Sequence, residues 1–214
     1  KKGEIMNSKT LSSWLLMIGP IMFVLVGFIL WEILIGEGET AKENVALLNE
    51  NTTISSLVLA LGSISFISMF IGYALFAWGR AEGSTTSGTL ASVASLIFVG
   101  ILALTMAASG STWMILGSEG SDLIEAEWIY AAGESLFPAA FWFWSLGNII
   151  LGAALFIEKK INPIASILLI VAGALQVIMM LDLLGDVEIL WMIGFFGTLI
   201  ASIVLGFFNL RSEE

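Results

Sequence analysis

The sequence predicts an all-α fold: a polytopic transmembrane helical bundle of six spans, a single domain over residues 1–214, with both termini cytoplasmic. Three observations carry that expectation. Of 214 residues, 58% are hydrophobic and only 12% charged, and the mean hydropathy of +0.98 exceeds what one soluble core of this size can bury. The apolar residues gather into six stretches, and a hydrocarbon core of ~30 Å needs roughly 20 helical residues per crossing. The basic residues sort to alternate gaps between those stretches.

The spans are expected at about 11–35, 54–79, 89–116, 128–157, 161–184 and 187–210. The first is longer than a signal-peptide core and lacks a small-residue cleavage site before Glu32, so it reads as a retained helix. Pro20 and Pro138 fall inside spans one and four and should bend them, with neighbouring helices supplying the lost contacts. Asn162-Pro163 opens span five, where proline removes no needed donor. Between spans one and two, residues 36–53 form a polar loop with a short surface helix expected at 41–48. Residues 81–88 read as a Gly/Ser/Thr turn, and residues 117–127 as a second polar loop.

Lys1, Lys2, Lys9, Arg80, Lys159, Lys160 and Arg211 fall on one side if the helices alternate, and only Lys42 on the other. The excess of Lys and Arg makes that first side cytoplasmic, and the cell membrane is the expected host. The opposite side is acidic, with Glu37, Glu39, Glu43 and Glu50 in one loop, Glu119, Asp122, Glu125 and Glu127 in the next, and Asp186 and Glu188 in the third. Such a surface gathers cations, although a plain solvated face accounts for it more simply. A net charge of −10 argues against nucleic acid as a partner. Trp14, Trp78, Trp31, Trp113, Trp128 and Trp191 lie near span ends, where an amphipathic ring suits the headgroup level.

The chain has no cysteine and no histidine. Disulfides, thiolate or imidazole metal sites, haem ligation through histidine and Cys or His nucleophiles are therefore excluded, and no cofactor is expected. Asn51-Thr52-Thr53 is an N-glycosylation pattern on the outer side, which makes Asn51 an acceptor candidate.

Ionisable groups in lipid are functional candidates by default. Glu134 lies about two turns below Trp128, roughly 9 Å along a helix, while Glu32 and Asp182 sit near span ends and read as solvated. On span four, Glu134, Pro138, Phe141, Ser145, Asn148 and Gly152 repeat at spacings of three and four, which predicts one polar face. Gln176 on span five, one turn from Gly173, is placed to bond across to it, and Ser63, Ser65 and Ser68 on span two are further candidates. Glu134, Asn148, Gln176 and Ser145 thus form a candidate proton or cation site; as structural glue between helices the same residues need no function. No pair of broken helices stands out as a substrate site. The acids of the second loop lack a histidine companion and regular ligand spacing, which disfavours a membrane enzyme.

A short echo links Gly72-Tyr73-Ala74-Leu75-Phe76 to Gly152-Ala153-Ala154-Leu155-Phe156, but its residues are common in every membrane helix. The segment Leu151-Gly152-Ala153-Ala154-Leu155-Phe156, the turn Lys159-Lys160, Asn162-Pro163 and the run from Ile164 to Gly173 resemble a hairpin of the DUF4386-type families of uncharacterised polytopic proteins. Ser166 departs from that pattern, which has a glycine near there. The resemblance implies a six-helix bundle and assigns no residue a role.

The leading expectation is a non-enzymatic accessory or structural subunit of a membrane assembly, with the lipid bilayer, other membrane subunits or copies of itself as partners. The rival is a small proton- or cation-coupled transporter using Glu134.

Overall fold

The structure is a computed structural model describing residues 7–181 and 188–212, the backbone alone for Glu188 and Trp191. Asp182, Asp186 and the side chains of Glu188 and Trp191, all named above, lie outside the described residues. Every described element is helical, and six helices are long and apolar enough to cross a membrane. The chain is an integral membrane protein.

The first span, α1 (Ser8–Leu34), is followed by the loop helix α2 (Ala41–Glu50), then α3 (Thr52–Trp78) and α4 (Thr86–Met114). The fourth span is two helices, α5 (Asp122–Glu134) and α6 (Leu136–Glu158); α7 (Pro163–Met180) and α8 (Glu188–Arg211) complete the set. Polar caps set where these helices begin. Asn7, Thr40, Asn51, Thr85 and Asn162 each accept a bond from a backbone N–H of the first turn, satisfying a donor that has no partner within the helix.

Among the described residues each span packs on its neighbours in chain order, and α8 closes onto α1. Six helices in a ring leave a central space, and aromatic side chains fill it. Phe66 and Phe70 on α3 meet Trp144 of α6 edge-on across the ring, at centroid distances of 6.3 and 5.3 Å. Tyr73 stacks on Phe98 at 4.5 Å, and Phe195 of α8 meets Trp144 at 6.1 Å. Small residues bring the helix walls together: a Cβ on Gly173 would lie 2.6 Å from the Ser145 carbonyl, and one on Gly206 equally close to that of Ser13. Gly72 packs on α1 and Gly152 on α7, so the sequence echo around these two glycines has no common structural role.

The two prolines have unequal surroundings. Pro20 has no N–H for the Leu16 carbonyl four residues earlier, and that carbonyl instead accepts the Ser202 hydroxyl of α8 at 3.0 Å. The helix continues through Pro20 and then loosens into a π-helical stretch, Leu25–Leu30. Upstream of Pro138 the helix is interrupted at one residue. A proline ring does not fit against the carbonyl four residues earlier, here that of Glu134, and α5 ends at Glu134 while α6 begins at Leu136, with Ser135 between them still in right-handed helical conformation. The expected continuous fourth span is thus corrected to two helices, and two interrupted spans exist where none was foreseen.

The chain ends share one end of the ring. Arg80 at the end of α3 pairs with Glu158 at the end of α6, 2.8 Å apart. It also reaches the Asn209 Oδ1 on α8 at 3.4 Å. Asn209 in turn donates to the Ser13 hydroxyl of α1 at 2.8 Å, and the Lys9 ammonium donates to the Ser212 carbonyl. A polar clasp joins four spans there.

Candidate functional site

At the opposite end, the ring opens into a cavity of about 640 Å³, within the range of small-molecule sites. Both interrupted spans line it. From the π-helical stretch of α1 come Gly27 and Phe28, followed by Trp31 and Glu32; from the break of the fourth span come Tyr130, Glu134 and Phe137. A π-turn inserts an extra residue and rotates the helix beyond it, a device common at functional sites. α3 contributes Gly62, Ser63 and Phe66; α4 contributes Thr105, Ser109 and Thr112. The Ser63 hydroxyl donates to that of Ser109 at 3.0 Å, tying the α3 and α4 walls together.

The loop after α1 covers the mouth. Val45 and Leu48 of α2 are buried in a second apolar cluster with Val26, Val58, Ile115 and Ala126. The Asn49 side chain fastens α2 to the end of α4, donating to the Ile115 carbonyl at 3.2 Å and accepting from the Gly117 N–H. Asn44 bonds both the N–H and the carbonyl of Gly38, each at 3.0 Å. This held loop brings Glu37 and Glu39 into the lining. Glu37 is close enough to act electrostatically on both Tyr130 and Glu134.

Four carboxylates, Glu32, Glu37, Glu39 and Glu134, therefore face one cavity, and no Lys or Arg lines it. Among the described residues the ion pairs involve Glu158 alone among the acids, so none of the four is neutralised by a base. The potential here favours cations.

No family model, no curated protein and no solved structure matches this chain.

The structure separates the residues that the helical spacing had joined. Glu134 is exposed in the cavity, whereas Asn148 lies 14 residues on, about 21 Å along the helix axis. Ser145 and Asn148 face α7, where Gly173 approaches them. The Ser145 hydroxyl donates to the Phe141 carbonyl of its own helix at 2.8 Å. Gln176 is buried in the adjoining wall with Phe141 and Phe195, and among the described residues neither its Oε1 nor the Asn148 amide has a hydrogen-bond partner. The expected bond from Gln176 to this face is not formed. Tyr73 and Trp144 are equally buried; the Tyr73 hydroxyl has Ser202 and Trp144 as polar neighbours but no bond of ordinary geometry.

Of the serines, Ser63 enters the cavity, and Ser65 bonds back to the Leu61 carbonyl at 2.7 Å. Glu32 does face the cavity. Asn51 is exposed and caps α3 through the Ile54 N–H. Sequence reasoning placed Glu37 and Glu39 on a cation-gathering outer face but did not join them to Glu134, missed Tyr130, and assigned Trp31 to the headgroups. One signal was present: Thr105, Ala108, Ser109 and Thr112 repeat at helical spacing and form the small, polar wall of α4.

Proposed function

We propose that the protein is a small membrane carrier that admits a cation through this cavity, with Glu134 as the principal counter-charge. One observation carries the proposal: four carboxylates and no base line a single cavity, at the level where one span turns π-helical and another is interrupted at Ser135. Discontinuous helices build substrate sites in transporters because their free backbone groups and altered side-chain directions converge on one point. Hydroxyls of Ser63, Thr105, Ser109 and Thr112 offer neutral oxygens to the same space. Beneath it lie the aromatic layer around Phe66 and Trp144 and then the clasp of Arg80, Glu158 and Asn209, which supports an arrangement open at one end and shut at the other. With the termini in the cytoplasm, as the basic residues suggest, the cavity opens outward. The DUF4386-type resemblance supplies no residue role, and no structural feature favours the accessory-subunit alternative.

Proteoliposomes test this. Wild-type protein should pass a cation, read as proton, sodium or organic-cation flux over protein-free vesicles. Glu134→Gln should cut that flux by roughly tenfold or more, the scale of one lost charge contact of ~1.4 kcal/mol. Absence of flux for all three cation types, with the protein recovered only in a complex with other subunits by native mass spectrometry, would restore the accessory role.

A further inference from the structure

The chemistry of the cavity bears on what kind of cation it takes. Metal ions demand converging oxygens: calcium takes six to eight of them at about 2.3–2.6 Å. Among the described residues, no three acidic side chains come together closely enough to hold a metal ion, although four of them line this one cavity. Their charge is spread around a space of about 640 Å³, which is far larger than a bare ion and of the size that encloses small organic molecules.

The rest of the lining is aromatic. Phe23, Phe28, Trp31, Phe66, Tyr130 and Phe137 all reach the cavity. Phe23 and Phe66 lie in contact at the floor, with centroids 4.6 Å apart, and Phe23 meets Phe28 edge-on at 5.7 Å. A ring face attracts a cation through its quadrupole, most strongly for an ammonium carrying hydrocarbon groups, which sheds water at low cost. A strongly hydrated metal ion gains little from such walls, and an anion is repelled by the carboxylates.

Accepting the cation reading above, we infer that the ligand is an organic ammonium ion with hydrocarbon substituents. Its charged head sits among Glu37, Glu134 and Tyr130 within reach of the Trp31 and Phe28 rings, and its hydrocarbon groups rest on Phe23 and Phe66. The head gains from dispersed negative charge without the tight chelation that this lining lacks. The hydrocarbon gains from the aromatic floor. The hydroxyls of Ser63 and Ser109, bonded to each other, leave that side of the cavity neutral.

Isothermal titration of the full-length protein in nanodiscs decides it. The probes are tetraethylammonium, choline, the uncharged carbon isostere of choline, sodium and calcium. The ammonium probes should bind saturably, with the isostere weaker by roughly tenfold or more and the metal ions failing to compete at equal concentration. Trp31→Leu and Phe28→Leu should each weaken tetraethylammonium by about three- to tenfold, in line with one lost cation–π contact. Gly62→Leu is the cavity-filling control: an added Cβ there meets only Val26, at 3.8 Å. It should abolish ammonium binding without lowering the unfolding midpoint. Saturable sodium or calcium binding with silent ammonium probes would overturn the ligand class and keep the cation reading. Equal binding of choline and its isostere would overturn both. Silence from every probe would overturn the ammonium inference, leaving the proteoliposome flux to decide the carrier role.

Discussion

The clasp at the termini end permits a quantitative test. Arg80 and Glu158 are 16% and 14% exposed, with Nη1 and Oε2 at 2.8 Å. Breaking a fully buried pair costs about 3–5 kcal/mol, and an exposed pair is worth about 0–1. The clasp lies nearer the buried limit by exposure, but Glu158 keeps a second partner, Lys160, at 3.3 Å and 73% exposed. The coupling between Arg80 and Glu158 should therefore be about 2 kcal/mol. Arg80→Met alone should cost more, about 3 kcal/mol, because it also removes the Asn209 bond at 3.4 Å and the contact of the guanidinium with the Phe76 ring at 5.2 Å. The assay is equilibrium unfolding in mixed micelles followed by tryptophan fluorescence, with Arg80→Met, Glu158→Gln and the double variant forming a thermodynamic cycle. A coupling below about 0.5 kcal/mol would refute the assignment, since that is the scale of an exposed pair.

Three further outcomes rest on the packing. Pro138→Ala returns an N–H to the carbonyl of Glu134, so α5 and α6 should join and cation flux should fall severalfold without loss of stability; unchanged flux would remove the helix break from the mechanism. Gly206→Ala places a Cβ 2.6 Å from the Ser13 carbonyl and should lose about 1–3 kcal/mol, whereas Gly110→Ala meets nothing within 4 Å and should gain up to about 1 kcal/mol. The same micelle unfolding reads both, and equal signs would refute the helix-contact argument. Asn148→Leu removes a fully buried amide without a protein partner and should leave stability unchanged or raised, where Asn209→Leu should lower it. A loss above about 2 kcal/mol at Asn148 would mean that its amide is satisfied in the folded protein.

The sequence alone determined that the chain crosses a membrane and about where its six spans fall. In lipid every backbone polar group must be satisfied within its own segment, so span existence is a local property. The caps at Asn51 and Asn162 are local for the same reason, whereas the carbonyl that Pro20 leaves free is satisfied by Ser202 of another helix. Which faces meet is set by tertiary packing. A helix in lipid is apolar on all sides, so hydrophobic periodicity does not mark its inner face as it does in water. The stripe from Glu134 to Gly152 therefore read as one face, while the break at Ser135 sends Glu134 to the cavity and leaves Asn148 against α7. Glu37 belongs with Glu134 although 97 residues separate them, because α2 is docked through Val45, Leu48 and Asn49 onto the end of α4. That docking is a property of the closed ring, and it turns loop charges into the lining of a site.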